Sequence, residues 1–248
     1  MIIIGSGTGA PSLRRGSPGL ILLSENATTL IDSGSGTLRK MLELGITYLD
    51  LDLLLYTHTH PDHVSDLVPI LFACKYAEQP RQKELLCAGG TGFEDFIERL
   101  RKVYGLWIEP QSFRLAIKEI LQSPFLFRDL KISAKPMAHL PESLGYRIEF
   151  KDGKSVAVSG DTDYCTNLVK LAFEVDLLIL ECSFPNEKKT EGHLTPSLAG
   201  RIAKESKCKR LLLTHLYPVC DRYDIIQQCS QVFKGEVLLA EDLMRIKV

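Results

Sequence analysis

A layered α/β sandwich is the fold class that the sequence predicts, and three observations carry it. Short apolar or alternating runs bounded by Gly, Pro, Asp, Asn or Ser recur along the whole chain. Amphipathic stretches with apolar positions three and four residues apart fill the gaps between them. The runs alternate or are apolar on both faces, which with flanking helices suggests layers of helix packed on sheet.

In chain order, the strands are expected over 2–4 (III), 19–23 (GLILL), 28–32 (TTLID), 51–57 (LDLLLYT), 84–88 (ELLCA), 130–138, 143–150, 154–159, 176–181, 210–214 and 236–239. Each is apolar throughout or alternates, and each is closed by a turn-forming residue. Helices are expected over 36–45, 64–77, 91–103, 164–174, 196–206 and 221–232, the last of them starting after Asp221 as its cap. No linker, charge block or repeat divides the chain, so residues 1–248 read as one domain. A less regular stretch, 104–129, reads as a helix-bearing lid or a dimer element, and a homodimer is the assembly it suggests.

The bulk numbers exclude several classes. With 248 residues, 45% hydrophobic and 25% charged, the chain has the composition of an ordinary globular protein. A formal charge of -1 carries no global field for a long polyanion. Seven scattered cysteines without a C-x-x-C pair fit reduced thiols, the opening MIIIG is too short for a signal segment, and no run approaches membrane-spanning length. A cytoplasmic protein with no membrane partner is expected.

Three of the six histidines fall in YTHTHPDH, directly after the leucine-rich run at 51–57. In extended chain, His58 and His60 point to one side because side chains alternate, while Pro61 stops the strand and turns Asp62 and His63 toward a second position. Further ligand-type residues close other strands: His139 after LKISAKPMA, Asp161 in SGDTD and His215 in LLLTHL. With these strand ends side by side, His58, His60 and His139 hold one ion, Asp62, His63 and His215 hold another, and Asp161 bridges them through its two oxygens.

The motif THTHPDH resembles the signature of the metallo-β-lactamase superfamily, and the similarity continues in order through GSGTGAPS, TLIDSGSG with Asp32, AHLPESLGYRIE, SGDTDY, DLLILECSF, GHLTP and LLLTHL. The resemblance implies an αββα four-layer sandwich of two mixed sheets flanked by helices, with a dinuclear site at one edge. Asp161, where true β-lactamases of the superfamily have cysteine, argues against antibiotic hydrolysis, and His60 argues against a flavin-linked diiron centre. Within the superfamily, ECSF at 181–184 and HLT at 193–195 look like two motifs of ribonuclease Z. By that resemblance His193 protonates the leaving alkoxide and Glu181 orients it. Thr195 and Pro196 also read as the cap and first turn of the next helix.

Two departures separate the chain from ribonuclease Z. Only 21 residues lie between His139 and Asp161, where that family inserts a flexible arm that grips transfer RNA. Its P-x-K-x-R-N loop survives as PSLRRG, which keeps Pro11 and Arg15 but has Leu13 and Gly16 in place of lysine and asparagine. A shorter or different phosphodiester, a small nucleotide or an RNA, is therefore the expected substrate. Arg14, Arg15 and Thr195 are candidate substrate contacts, with Arg14 or Arg15 on a phosphate. The expected cofactors are two divalent ions, zinc first with manganese or iron as alternatives, which lower the pKa of water for attack on phosphorus while Asp62 takes its proton. The rival functions are transfer RNA 3′ processing, hydrolysis of an ester, thioester or lactone, and metal carriage without turnover.

Overall fold

The computed structural model describes residues 1–121 and 123–248. Its first sheet has six strands, β1 (Ile2–Gly5), β2 (Gly19–Leu23), β3 (Thr28–Ser33), β4 (Leu53–Leu55), β5 (Leu85–Gly89) and β6 (Leu115–Glu119), adjacent in that order. The first three pair antiparallel, and β3 to β6 pair parallel. The second sheet runs from β7 (Phe125–Phe127) through β8 (Leu130–Pro136), β9 (Leu144–Phe150), β10 (Ser155–Val158), β11 (Leu177–Glu181) and β12 (Arg210–Thr214) to β13 (Glu236–Leu239). Here β7 to β10 pair antiparallel and β10 to β13 parallel, so both sheets are mixed.

Side-chain alternation sets the layers. Leu53 and Leu55 of β4 join Ile132, Tyr146, Ile148, Val156 and Ile179 in a core between the sheets. Leu54 points the other way, into a cluster with Met41, Ile70 and Ile97 from the helices α1 (Thr37–Glu43), α3 (Leu67–Tyr76) and α4 (Phe93–Tyr104). On the second sheet Leu178 and Leu180 face Leu168, Ile202 and Cys229 of α5 (Thr166–Leu171), α6 (Pro196–Ser206) and α7 (Ile225–Ser230). Strands buried on both faces read as unbroken leucine and isoleucine runs, which is why LLL and LLILE are so apolar. The product is the αββα sandwich of two mixed sheets that the sequence predicts. The one-turn helix α2 (Pro61–Val64) follows β4.

The structure corrects three local expectations. Among the described residues, 104–129 carry no lid helix beyond the end of α4 and a single 3-10 turn at Gly105–Trp107, and the segment instead supplies β6 and β7, the two edge strands through which the chain crosses between sheets. Leu115 and Ile117 stand two residues apart between Arg114 and Lys118, a strand period, and position 122 of the segment lies outside the described residues. Asp221 does not cap α7. It sits in the 3-10 turn Pro218–Arg222, and the cap is Asp224, whose side chain accepts a hydrogen bond from Gln227 N at 2.8 Å. Thr195 is the N-cap residue of α6 with Pro196 next to it, but its side chain makes no capping bond.

The chain ends meet: Ile3 N donates to Met244 O at 2.9 Å, and Leu243 N donates to Ile3 O at 2.7 Å. Asp242 fastens this closure, accepting from Ser6 N, Ser6 Oγ and Gly16 N at 2.8 Å each and from the ammonium of Lys40. Burial pushes its carboxyl up, but these donors outweigh burial and hold it below the usual carboxylate range. Asp242→Ala leaves two backbone N–H groups and an ammonium without their acceptor and is expected to cost about 2–4 kcal/mol. Because the folded pKa is depressed, this stabilisation is complete above about pH 4 and is lost as pH falls through the folded value. Thermal unfolding of both proteins across acid pH checks it: the gap in Tm should narrow as the solution is acidified. Among the described residues no helix is long and apolar enough to cross a membrane.

Candidate metal centre

All seven residues expected to hold metal converge where β4, β8, β10 and β12 end. β4 stops at Leu55, so His58 and His60 lie in the loop beyond it rather than on the strand, and the turn still brings His58 Nε2 within 3.1 Å of His60 Nδ1. His139 Nε2 stands 3.3 Å from the same His60 nitrogen, and Asp161 Oδ2 lies 3.8 Å from His58 and 3.9 Å from His139. The second group forms alongside. His63 Nε2 and His215 Nε2 are 3.2 Å apart, Asp62 Oδ2 lies 3.9 and 3.5 Å from them, and Asp161 Oδ1 lies 3.3 Å from each. Four ligands at about 2.0–2.1 Å around a tetrahedral ion stand about 3.3 Å from one another, and the observed 3.1–3.9 Å fits that spacing.

A second observation points the same way. Asp161 Oδ1 is buried and receives no hydrogen bond of proper geometry, although two histidine nitrogens face it. A buried carboxylate oxygen without a well-aligned donor is costly unless a cation compensates it. Burial raises the Asp161 carboxyl, but His215 and His63 outweigh it and keep the group ionised. Burial, then the neighbouring His63, depresses His58 to about 2, which leaves its imidazole neutral as a metal ligand must be. At His63 the carboxylates of Asp161 and Asp32 overcome burial and raise the pKa well above its usual value, so that a proton compensates there for charge that a metal ion would otherwise balance. The donor set of imidazoles and carboxylates suits divalent metal.

Four of the five rings are held from behind, so that Nε2 of each faces the centre, while His60 presents its Nδ1. His63 Nδ1 donates to Asp32 Oδ2 at 2.8 Å, His58 Nδ1 reaches Thr57 Oγ1 at 3.0 Å, His139 Nδ1 donates to Gly192 O at 3.1 Å, and His215 Nδ1 reaches Ser183 Oγ at 3.0 Å. Asp32 also accepts from Thr57 N and Thr57 Oγ1, each at 2.8 Å. Two non-glycine residues at the site, Asp32 and His215, adopt left-handed backbone with φ of 56° and 54°, a conformation that tertiary contacts must enforce. Gly160, with φ of 60°, is required for a separate reason: a Cβ there would fall 2.6 Å from Thr57 Cβ.

Asp32, Thr57, Ser183 and Gly192 have no assigned role in the sequence reading. Asp32 alone left a usable signal, a carboxylate that ends a buried strand at the same level as the histidines. Asp32→Asn is expected to weaken metal binding about 10- to 100-fold, because its amide can no longer hold His63 in one tautomer. Competition with a chromogenic chelator measures the effect.

His193 and Glu181 lie at the rim. His193 Nδ1 donates to Glu181 Oε1 at 2.9 Å, and the carboxylate is 2% exposed. Glu181 also accepts from Thr162 N at 3.1 Å and from Ser183 N and Oγ at 3.0 and 2.8 Å. Burial lowers the His193 pKa, but the hydrogen bond and charge of Glu181 more than compensate, and the net shift is upward. The His193 ring lies 5.1 Å from that of His139 and stacks 6.1 Å from that of His215, so it borders both halves of the centre.

The candidate substrate contacts fare differently. Arg15 is a brace: its side chain is 3% exposed, and its Nη1 donates to Ser6 Oγ at 2.9 Å and Ala240 O at 2.6 Å while Nε reaches Asp221 at 3.4 Å. No donor is left for a phosphate in a form a substrate could reach. Arg14 is exposed and paired with the same Asp221 at 3.2 Å, and Thr195, 4% exposed, has no open face. Between His139 and Asp161 the chain holds only the β9–β10 hairpin.

Comparison with known proteins agrees with this architecture. Residues 28–216 match the model of the beta-lactamase superfamily domain. The chain is 30% identical to a ribonuclease Z of Sulfolobus acidocaldarius across 96% of this chain and 95% of that protein. That alignment runs over 290 positions against a chain of 248, so the relative has segments this chain lacks. Among solved structures, the metallo-beta-lactamase fold protein YhfI from Bacillus subtilis superposes with a TM-score of 0.85 at 26% identity, covering 98% of this chain and 96% of the other. The short form of human tRNase Z superposes with a TM-score of 0.77, also at 26% identity, over 99% and 96% of the two chains. With the fold, the donor cluster and these matches in agreement, the chain belongs to the metallo-β-lactamase superfamily, in its ribonuclease Z-like branch.

Proposed function

We propose that this protein is a dinuclear metal-dependent hydrolase that cleaves a phosphodiester smaller than transfer RNA. The observation that carries the proposal is the His193–Glu181 pair, an imidazole fixed through Nδ1 with its Nε2 free at the rim of a seven-donor metal centre. His58, His60 and His139 would hold one ion and Asp62, His63 and His215 the other, shared through Asp161, with zinc as the metal we expect. When bound, two such ions would make water acidic enough to attack near neutral pH and would neutralise charge on the phosphoryl oxygens.

The chain's own residues do the rest. Gly9 N donates to Asp62 Oδ2 at 2.9 Å and fixes that carboxylate. Burial raises its pKa, but the His215 hydrogen bond and the His63 and His215 charges outweigh burial, so Asp62 stays ionised and accepts the hydrogen of the attacking water. As the phosphorus–oxygen bond breaks, His193 gives its Nε2 proton to the departing oxygen, and Glu181 stabilises the ring while it is charged. Glu181 is a positioning residue, acting through His193.

Relatives named ribonuclease Z and tRNase Z support phosphodiester chemistry, and the short β9–β10 hairpin supports a substrate without a transfer RNA elbow. A panel decides between substrate classes: bis-p-nitrophenyl phosphate, 2′,3′- and 3′,5′-cyclic nucleotides, precursor transfer RNA and lactones, each with the zinc- and manganese-loaded protein. Turnover of the small diesters above the others supports the proposal. Preference for precursor transfer RNA would assign processing instead, and preference for lactones would place the chemistry on carbon.

A further inference from the structure

Resting on the phosphodiesterase reading above, we propose that Phe184 and Tyr217 form a platform for the nucleobase of the leaving group, so that the enzyme selects diesters whose departing oxygen belongs to a nucleoside. The two rings stack with centroids 4.6 Å apart and planes 19° from parallel. His193 meets both edge-on, 5.8 Å from Phe184 and 6.3 Å from Tyr217. Beyond them opens a groove of about 460 Å³ lined by Phe184, Lys188, Thr190, Tyr217, Pro218 and Val219.

Neither ring is part of the buried core, for both are only half-buried and face this groove. Each is tied to the reaction centre by the backbone: Phe184 follows Ser183, whose hydroxyl contacts His193 and His215, and Tyr217 stands two residues after His215. Geometry then decides which end of the substrate the platform meets. The proton donor lies beside the departing oxygen, so the group attached to that oxygen extends past His193 onto the rings. A planar heterocycle stacked there gains contact that an aliphatic or base-free leaving group does not. Base stacking on an aromatic side chain is worth about 5- to 150-fold in affinity.

The test uses the full chain loaded with zinc. Calorimetric binding of adenosine monophosphate and of ribose 5-phosphate should show a preference for the nucleotide of about 5- to 150-fold. Phe184→Leu and Tyr217→Leu should each remove most of that preference, and Phe184→Trp should restore it, which separates loss of stacking from loss of fold. The ratio of kcat/KM for adenosine 3′,5′-cyclic phosphate over its base-free ribose counterpart should fall in parallel. Equal binding of the two ligands by the native protein, or a preference that survives both leucine variants, overturns the platform. Phosphodiester hydrolysis without base preference would sink the platform alone. Base preference without hydrolysis of any diester would sink the catalytic reading and leave the platform standing.

Discussion

Replacing Asp161 with alanine is expected to empty both halves of the metal centre at once and to lower turnover by more than the about 10- to 100-fold that loss of an outer partner causes. No other residue of the cluster faces both groups of donors: Oδ2 looks toward His58 and His139, and Oδ1 toward His63 and His215. Removing any single histidine leaves the other side's three own donors and the shared Asp161 intact, whereas removing Asp161 subtracts a ligand from each side and the negative charge that balances them. The variant should fold, because Oδ1 accepts no hydrogen bond that would be lost and the site's other braces do not pass through it. Elemental analysis of the dialysed variant beside the native protein measures the effect. Metal content and activity that both persist would show that Asp161 does not bridge.

Replacing His193 with alanine should behave in the opposite way, with metal retained and kcat reduced about 10²- to 10⁴-fold on diesters with an alkoxide leaving group. The loss should shrink on p-nitrophenyl esters, whose leaving group departs without a proton. Glu181→Gln should follow the same leaving-group pattern more weakly, because the amide still meets the imidazole at 2.9 Å but cannot stabilise its charged form. Equal losses on both classes of ester would mean that His193 binds substrate or supports a ligand and donates no proton.

The convergence of these donor residues was legible before any coordinates because they share one local sign, a ligand-type side chain shortly after an apolar or alternating strand. That sign also recovers the layers, since LLL and LLILE are doubly buried strands. The supports behind the cluster lack such a sign. Ser183 matters because two histidines, His193 and His215, converge on its hydroxyl from distant loops. Arg15 looked free for a phosphate because its acceptor on Ala240 is 225 residues away in sequence. β6 and β7 were missed since edge strands are only half-buried, and lysine, glutamate and arginine interrupt or flank them. Asp221 was read as the cap of α7, yet it pairs with Arg14 and Arg15, which stand more than 200 residues away in sequence, and Asp224 caps the helix instead.

Hydrolysis of a nucleotide phosphodiester, followed as metal-free protein is titrated with zinc, tests the central claim most directly. Activity is predicted to rise to its limit at two zinc ions per chain and to require the imidazole of His193. Two ions bound per chain with no phosphodiester turned over would contradict it.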